Sequence, residues 1–132
     1  MGKMKAEDKL RIAACKEISL KYPKVIFWCD GSGDNAKPMQ RRINAQTRSE
    51  RGVPDLFIPE PRGKYSGLFL ELKAEGARLY LKDGVTLAKS DHLDDQKRML
   101  DKLSDRGFCA MFSKGINDTM QKVDWYLSLQ SR

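Results

Sequence analysis

The sequence predicts an α/β fold in which helices flank a mixed central sheet, and three observations predict it. Apolar residues recur at helical spacing near both ends of the chain and again after residue 90. Between these segments stand short runs rich in β-branched and aromatic residues. The order is helix, strand, two more strands, helix, strand, helix, without repeats, low-complexity tracts or an internal linker. A chain of 132 residues is long enough for one core without a metal or disulfide staple, so residues 1–132 read as a single domain.

From Ala6 to Tyr22, Leu10, Ala13, Ala14, Ile18 and Leu20 alternate with charges at helical spacing, and Pro23 closes the segment. Val25 to Cys29 (VIFWC) reads as a strand entering the turn DGSGDN. Pro38 to Gln46 reads as a short basic helix or ordered turn. Two proline-bounded or turn-bounded apolar runs follow, Val53 to Pro59 and Leu68 to Lys73, and read as strands joined by a short loop. Asp83-Gly84, set between two β-prone runs, predicts a small projecting hairpin near 78–89 with a type I′ turn. Ser90 or Asp91 can cap a helix over His92 to Arg106 that Gly107 stops. Phe108 to Ser113 then reads as a strand. Asn117 or Asp118 can cap a last helix through Leu129, on which Met120, Val123, Trp125, Tyr126, Leu127 and Leu129 form a largely buried face.

Hydrophobic content of 40% beside 33% charged residues is a globular composition, and no apolar stretch is long enough to span a bilayer or serve as a signal peptide. A cytoplasmic protein without a membrane partner is expected, in a bacterial or phage-infected cell. Cys15, Cys29 and Cys109 are odd in number and scattered, which predicts buried reduced thiols rather than disulfides or a zinc site. The net charge of +7 favours anionic partners. Lys37, Arg41, Arg42, Arg48 and Arg51 face only one acid, Glu50, and make a plausible phosphate-binding stripe. A solvated basic segment is the plain structural alternative.

The chemistry concentrates in Val53-Pro54-Asp55 and Glu71-Leu72-Lys73. Strand alternation puts Glu71 and Lys73 on one face, roughly 6.6 Å apart, with Leu70 and Leu72 on the other. If the two strands are neighbours, Asp55 joins Glu71 to make a site for a hard divalent cation beside an amine. Phosphodiester hydrolysis needs an activated water and a counter-charge for the transition state, and Mg²⁺ held by carboxylates beside a lysine supplies both. Each half alone would be bland, since Pro-Asp often begins a turn and Glu-x-Lys is often an exposed strand face. The remaining features read as structural. DGSGDN lacks the closing glutamate of a calcium loop, Arg41 standing there instead, and GSG is not a nucleotide-binding loop, so no nucleotide cofactor is expected. His92, the only histidine, reads as a capping or surface residue.

GVPDLF, GLFLELKAEG and HLDDQKRMLDKLSDRGF together resemble the virus-type replication-repair nuclease domain, VRR-NUC, of the PD-(D/E)XK superfamily, whose core is restriction-endonuclease-like. The resemblance covers nearly the whole chain. It implies that Asp55 and Glu71 bind Mg²⁺ or Mn²⁺ with the backbone carbonyl of Leu72, and that Lys73 orients the attacking water. It further implies a metal-side glutamate on the first helix, for which Glu17 is the preferred candidate over Glu7, and a glutamine near the catalytic edge, matched by Gln96. The small members it resembles imply a phage-type homodimeric DNA repair enzyme acting on branched DNA such as four-way (Holliday) junctions. A two-fold dimer suits paired cuts by one-site chains, with the last helix or the segment around Gly84 as the contact. Two rivals are a silent DNA-binding or assembly module and a nuclease acting on flap or ordinary duplex DNA.

Overall fold

The structure, a computed structural model, describes residues 4–30 and 37–132. Its elements are α1 (Ala6–Lys21), β1 (Trp28–Cys29), α2 (Pro38–Thr47), β2 (Leu56–Ile58), β3 (Leu68–Lys73), α3 (Asp91–Asp105), β4 (Cys109–Lys114) and α4 (Gly115–Ser128). The strands form one mixed sheet in the order β1-β2-β3-β4. β2 pairs antiparallel with β1 and β3, whereas β4 runs parallel to β3. A parallel neighbour requires a crossover, and the segment ending in α3 provides it.

Each face of β3 is covered, and the alternation of LFLELK sorts its side chains between two layers. Leu68, Leu70 and Leu72 face α1 and α4, where Ile18, Val123 and Tyr126 are fully buried with them. Phe69, Glu71 and Lys73 face the opposite side. There Leu93 and Leu100 of α3 pack with Phe112 of β4 and with Leu79 and Ala88 from the crossover. α3 is well bounded: the Ser90 hydroxyl accepts from the Leu93 amide at 3.3 Å, Asp91 and Asp94 occupy its positive end, and Gly107 takes φ +93° at its stop.

Several elements differ from expectation. Only Trp28–Cys29 of the Val25 to Cys29 run is strand, because β1 lies at the sheet edge beside a three-residue partner; Val25 and Phe27 still pack against the core. Of the predicted DGSGDN turn, residues 30–35, all but Asp30 lie outside the described residues. The 78–89 segment closes with Ala88 N–H donating to Leu79 O and Leu81 N–H to Thr86 O, but it is not a type I′ hairpin. Gly84 has φ +71°, while Asp83 keeps a negative φ and accepts the Val85 and Thr86 amides with its carboxylate. Nor does its base project, since Leu79 and Ala88 are buried under α3. α4 begins at Gly115, ahead of the expected caps, and the Asp118 carboxylate accepts from the Lys114 amide at 2.8 Å. Trp125 is exposed rather than part of the buried face. Among the described residues no helix is long and apolar enough to cross a membrane.

Candidate active site

The register of the sheet brings the expected acids together. Leu56 stands opposite Leu70, Phe57 opposite Phe69 and Ile58 opposite Leu68, so the same antiparallel register sets Asp55 across from Glu71. Asp55 Oδ2 accepts from the Leu72 amide at 3.0 Å, a donor that lies past the last β2–β3 pair. Its Oδ1 lies 3.6 Å from the Arg11 guanidinium of α1, and Arg11 also pairs with Asp8. Lys73 Nζ lies 3.8 Å from Glu71 Oε1. Gln96 Nε2 donates to that same oxygen at 2.5 Å. Asp55, Glu71, Lys73 and Gln96 expose only 6, 4, 6 and 3% of their surface.

Such burial is costly for carboxylates. Desolvation pushes the Asp55 carboxyl up to about 6, against the Leu72 amide and the Arg11 and Lys73 cations that favour its charge; the Glu7 carboxylate pushes it up further. A divalent cation would offset this cost, and the donor set fits a hard one: two carboxylates, with a buried Gln96 Oε1 that has no hydrogen-bond partner among the described residues. Among the described residues no group of three or more His, Cys, Asp or Glu side chains is placed to ligate a metal. A cation held here would complete its shell with backbone oxygen and water, as Mg²⁺ commonly does.

Asp55 and Glu71 open into a cleft of about 550 Å³ whose lining includes Glu7, Arg11, Arg41, Arg48, Arg51, His92 and Gln96. α2 crosses it with Arg41, Asn44, Ala45 and, just past its end, Arg48, spaced as one helical face. Of the expected basic stripe, Arg41, Arg48 and Arg51 reach the cleft, whereas Lys37 and Arg42 do not line it, because they lie on other faces of α2 and its approach. Arg48 is braced by Asp30 at 2.6 Å.

Glu17 requires correction. It is exposed and does not line the cleft; Glu7 does, and it is the α1 acid that acts on Asp55. Helical phase explains the difference: Glu7 shares a face with Arg11, four residues on, while Glu17 lies outside the arc that buries Ala14 and Ile18 and is exposed. Two residues were missed by sequence reasoning. Arg11 gave no signal, being one cation among many on α1. His92 did have one, since it precedes Gln96 by four residues and so shares its helical face.

No family model and no curated protein matches the chain. Among solved structures, one described as a "VRR_NUC domain protein" is similar, with a TM-score of 0.64 over 98% of this chain and 94% of that one, at 21% identity. This chain has the VRR-NUC fold. The likeness runs through the whole described architecture, so the mixed sheet, its α3 crossover and the helical layer of α1 and α4 are those of that fold.

Proposed function

We propose that this VRR-NUC-fold protein is a divalent-metal-dependent nuclease that hydrolyses phosphodiester bonds in DNA. The observation that carries the proposal is that buried Asp55 and Glu71 line one cleft with Arg41, Arg48 and Arg51, while the buried Lys73 amine stands 3.8 Å from Glu71. Asp55 and Glu71 would hold Mg²⁺ or Mn²⁺ with the Leu72 carbonyl, and the bound cation would supply a nucleophilic water and neutralise developing charge. Lys73 holds a positive charge beside Glu71, where it can offset charge on a phosphate oxygen and orient water. Gln96 fixes the Glu71 carboxylate by its amide donation. The cleft arginines grip the backbone without any base-reading element.

The substrate we propose is branched DNA such as a four-way junction, cut by a homodimer that pairs two such clefts across a two-fold axis. Cleavage of labelled duplex, flap and four-way-junction DNA, each with Mg²⁺ and with chelator, tests both levels. Junction cleavage that needs metal and disappears in Asp55→Ala and Glu71→Ala supports the full proposal. Preference for flap or duplex would replace the substrate class. Binding without cleavage of any substrate would reject the nuclease in favour of a silent DNA-binding module.

A further inference from the structure

Two of the three cysteines, far apart in sequence, meet in space: Cys15 Sγ on α1 lies 3.0 Å from Cys29 Sγ on β1, both thiols reduced and both only partly buried. Cys109 lies elsewhere, buried in the core. The three cysteines are reduced as expected, but the expected burial holds for Cys109 alone. A disulfide needs its sulfurs at about 2.05 Å, so a closure of about 1 Å would join them.

The surroundings equip one sulfur as the attacking group. Either sulfur can donate the shared S–H; with Cys29 as donor the Cys15 thiolate is the acceptor, and the Arg11 cation lies one helical turn before Cys15. Together these hold the Cys15 thiol down at about 7 despite partial burial, whereas Cys29 is pushed up. A thiol that ionises near neutral pH, with a second thiol in contact, is the arrangement that thiol–disulfide exchange requires.

We infer that Cys15 and Cys29 form a dithiol modification site that reacts with small-molecule disulfides and closes to an intramolecular disulfide. The Cys15 thiolate attacks one sulfur of RS–SR, forming Cys15–S–SR and releasing RS⁻, which takes up a proton as RSH. Cys29, losing its proton, then attacks Cys15 Sγ, forming the Cys15–Cys29 bond and releasing the second RSH. Overall two protein thiols are oxidised and one RS–SR is reduced to two RSH. The bond fastens α1, which presents Glu7 and Arg11, to the strand next to Leu56, the residue after Asp55.

The full chain is equilibrated in glutathione/glutathione-disulfide mixtures of graded ratio, quenched with an alkylating agent and mapped by peptide mass spectrometry. The inference expects Cys15 and Cys29 to leave the alkylated pool together as one crosslinked peptide pair, with Cys109 still a free thiol. It also expects the oxidised form to melt several degrees higher than the reduced form, a shift absent in C15S and C29S. In C29S, Cys15 should carry a persistent glutathione adduct, while in C15S Cys29 should react far more slowly. A stable glutathione adduct on Cys15 in the unmodified sequence, a crosslink involving Cys109, or both thiols staying alkylatable in glutathione disulfide alone would each overturn it. A disulfide-linked dimer through Cys15 or Cys29 would overturn it too.

Discussion

Gln96 Nε2 donates to Glu71 Oε1 at 2.5 Å, and Lys73 Nζ approaches the same oxygen at 3.8 Å, so the Glu71 carboxylate is held from α3 and from its own strand. Hydrogen bonds behind a metal ligand fix its orientation, and losing one typically costs about 10–100-fold in metal affinity or activity. We expect Gln96→Leu to raise the Mg²⁺ concentration needed for half-maximal cleavage by that order while the fold persists. A metal titration of cleavage checks this, and an unchanged midpoint would remove Gln96 from the site.

Lys73 makes a different prediction. If its charge offsets charge that develops on phosphate, Lys73→Met should lower the single-turnover rate by about 100-fold or more and leave DNA binding nearly intact. Single-turnover cleavage beside a binding titration separates the two. A rate close to that of the parent would deny the lysine its role.

The raised Asp55 carboxyl makes stability depend on pH in a defined direction. Its folded value of about 6 lies above its ordinary value of 3.8, so the folded state holds the proton more tightly. The cost of carrying the charge is present in full above about pH 6 and is relieved as pH falls toward 3.8; it is on the order of 3 kcal/mol. In chelator, Asp55→Asn, which keeps an acceptor for the Leu72 amide, should therefore melt several degrees above the parent at pH 8. The gap should narrow at pH 5. Equal gaps at both pH values would contradict a buried carboxylate whose desolvation outweighs its Leu72, Arg11 and Lys73 partners.

Gly52 sets the distance between the strand loop and α3. It has φ +87°, and a Cβ there would stand 2.6 Å from the Asp95 carbonyl oxygen and 2.9 Å from Gln96 Cα. Both neighbours are backbone, so Gly52→Ala must push the loop from the helix, at a strain of about 1–3 kcal/mol. We expect a lower melting temperature together with reduced cleavage, because the displaced helix carries Gln96. Unaltered melting and cleavage would mean the approach is not needed.

The cleft arginines should act through phosphate. Replacing Arg41 and Arg51 by Ala together should weaken DNA binding and reduce the slope of log K against log salt by roughly 2 if each meets one phosphate. Arg42→Ala, outside the cleft, should leave the slope as it was. The reverse pattern would relocate the binding surface.

Legibility in the sequence followed how local the determining physics is. α1, α3 and β3 were readable because periodicity, the Ser90 cap and the Gly107 stop act within a few residues. Gln96 was reached only through the family resemblance, whereas Asp55 and Glu71 were readable because PD and ExK lie at adjoining strands whose pairing is nearly forced. Glu7 over Glu17 was not, since that choice depends on how α1 is rotated on the sheet. The Cys15–Cys29 contact was hidden for the same reason, being a product of packing between two elements. The 78–89 turn was misjudged because the Asp83 carboxylate, rather than backbone at positive φ, satisfies its amides.

α2 lends Arg41, Asn44 and Ala45 to the cleft wall yet buries no side chain of its own. Substitutions along it therefore draw little on the folding free energy held in the sheet and its two packed layers. Selection could rewrite the cleft wall there, letter by letter, while the buried acids beneath stayed as they were.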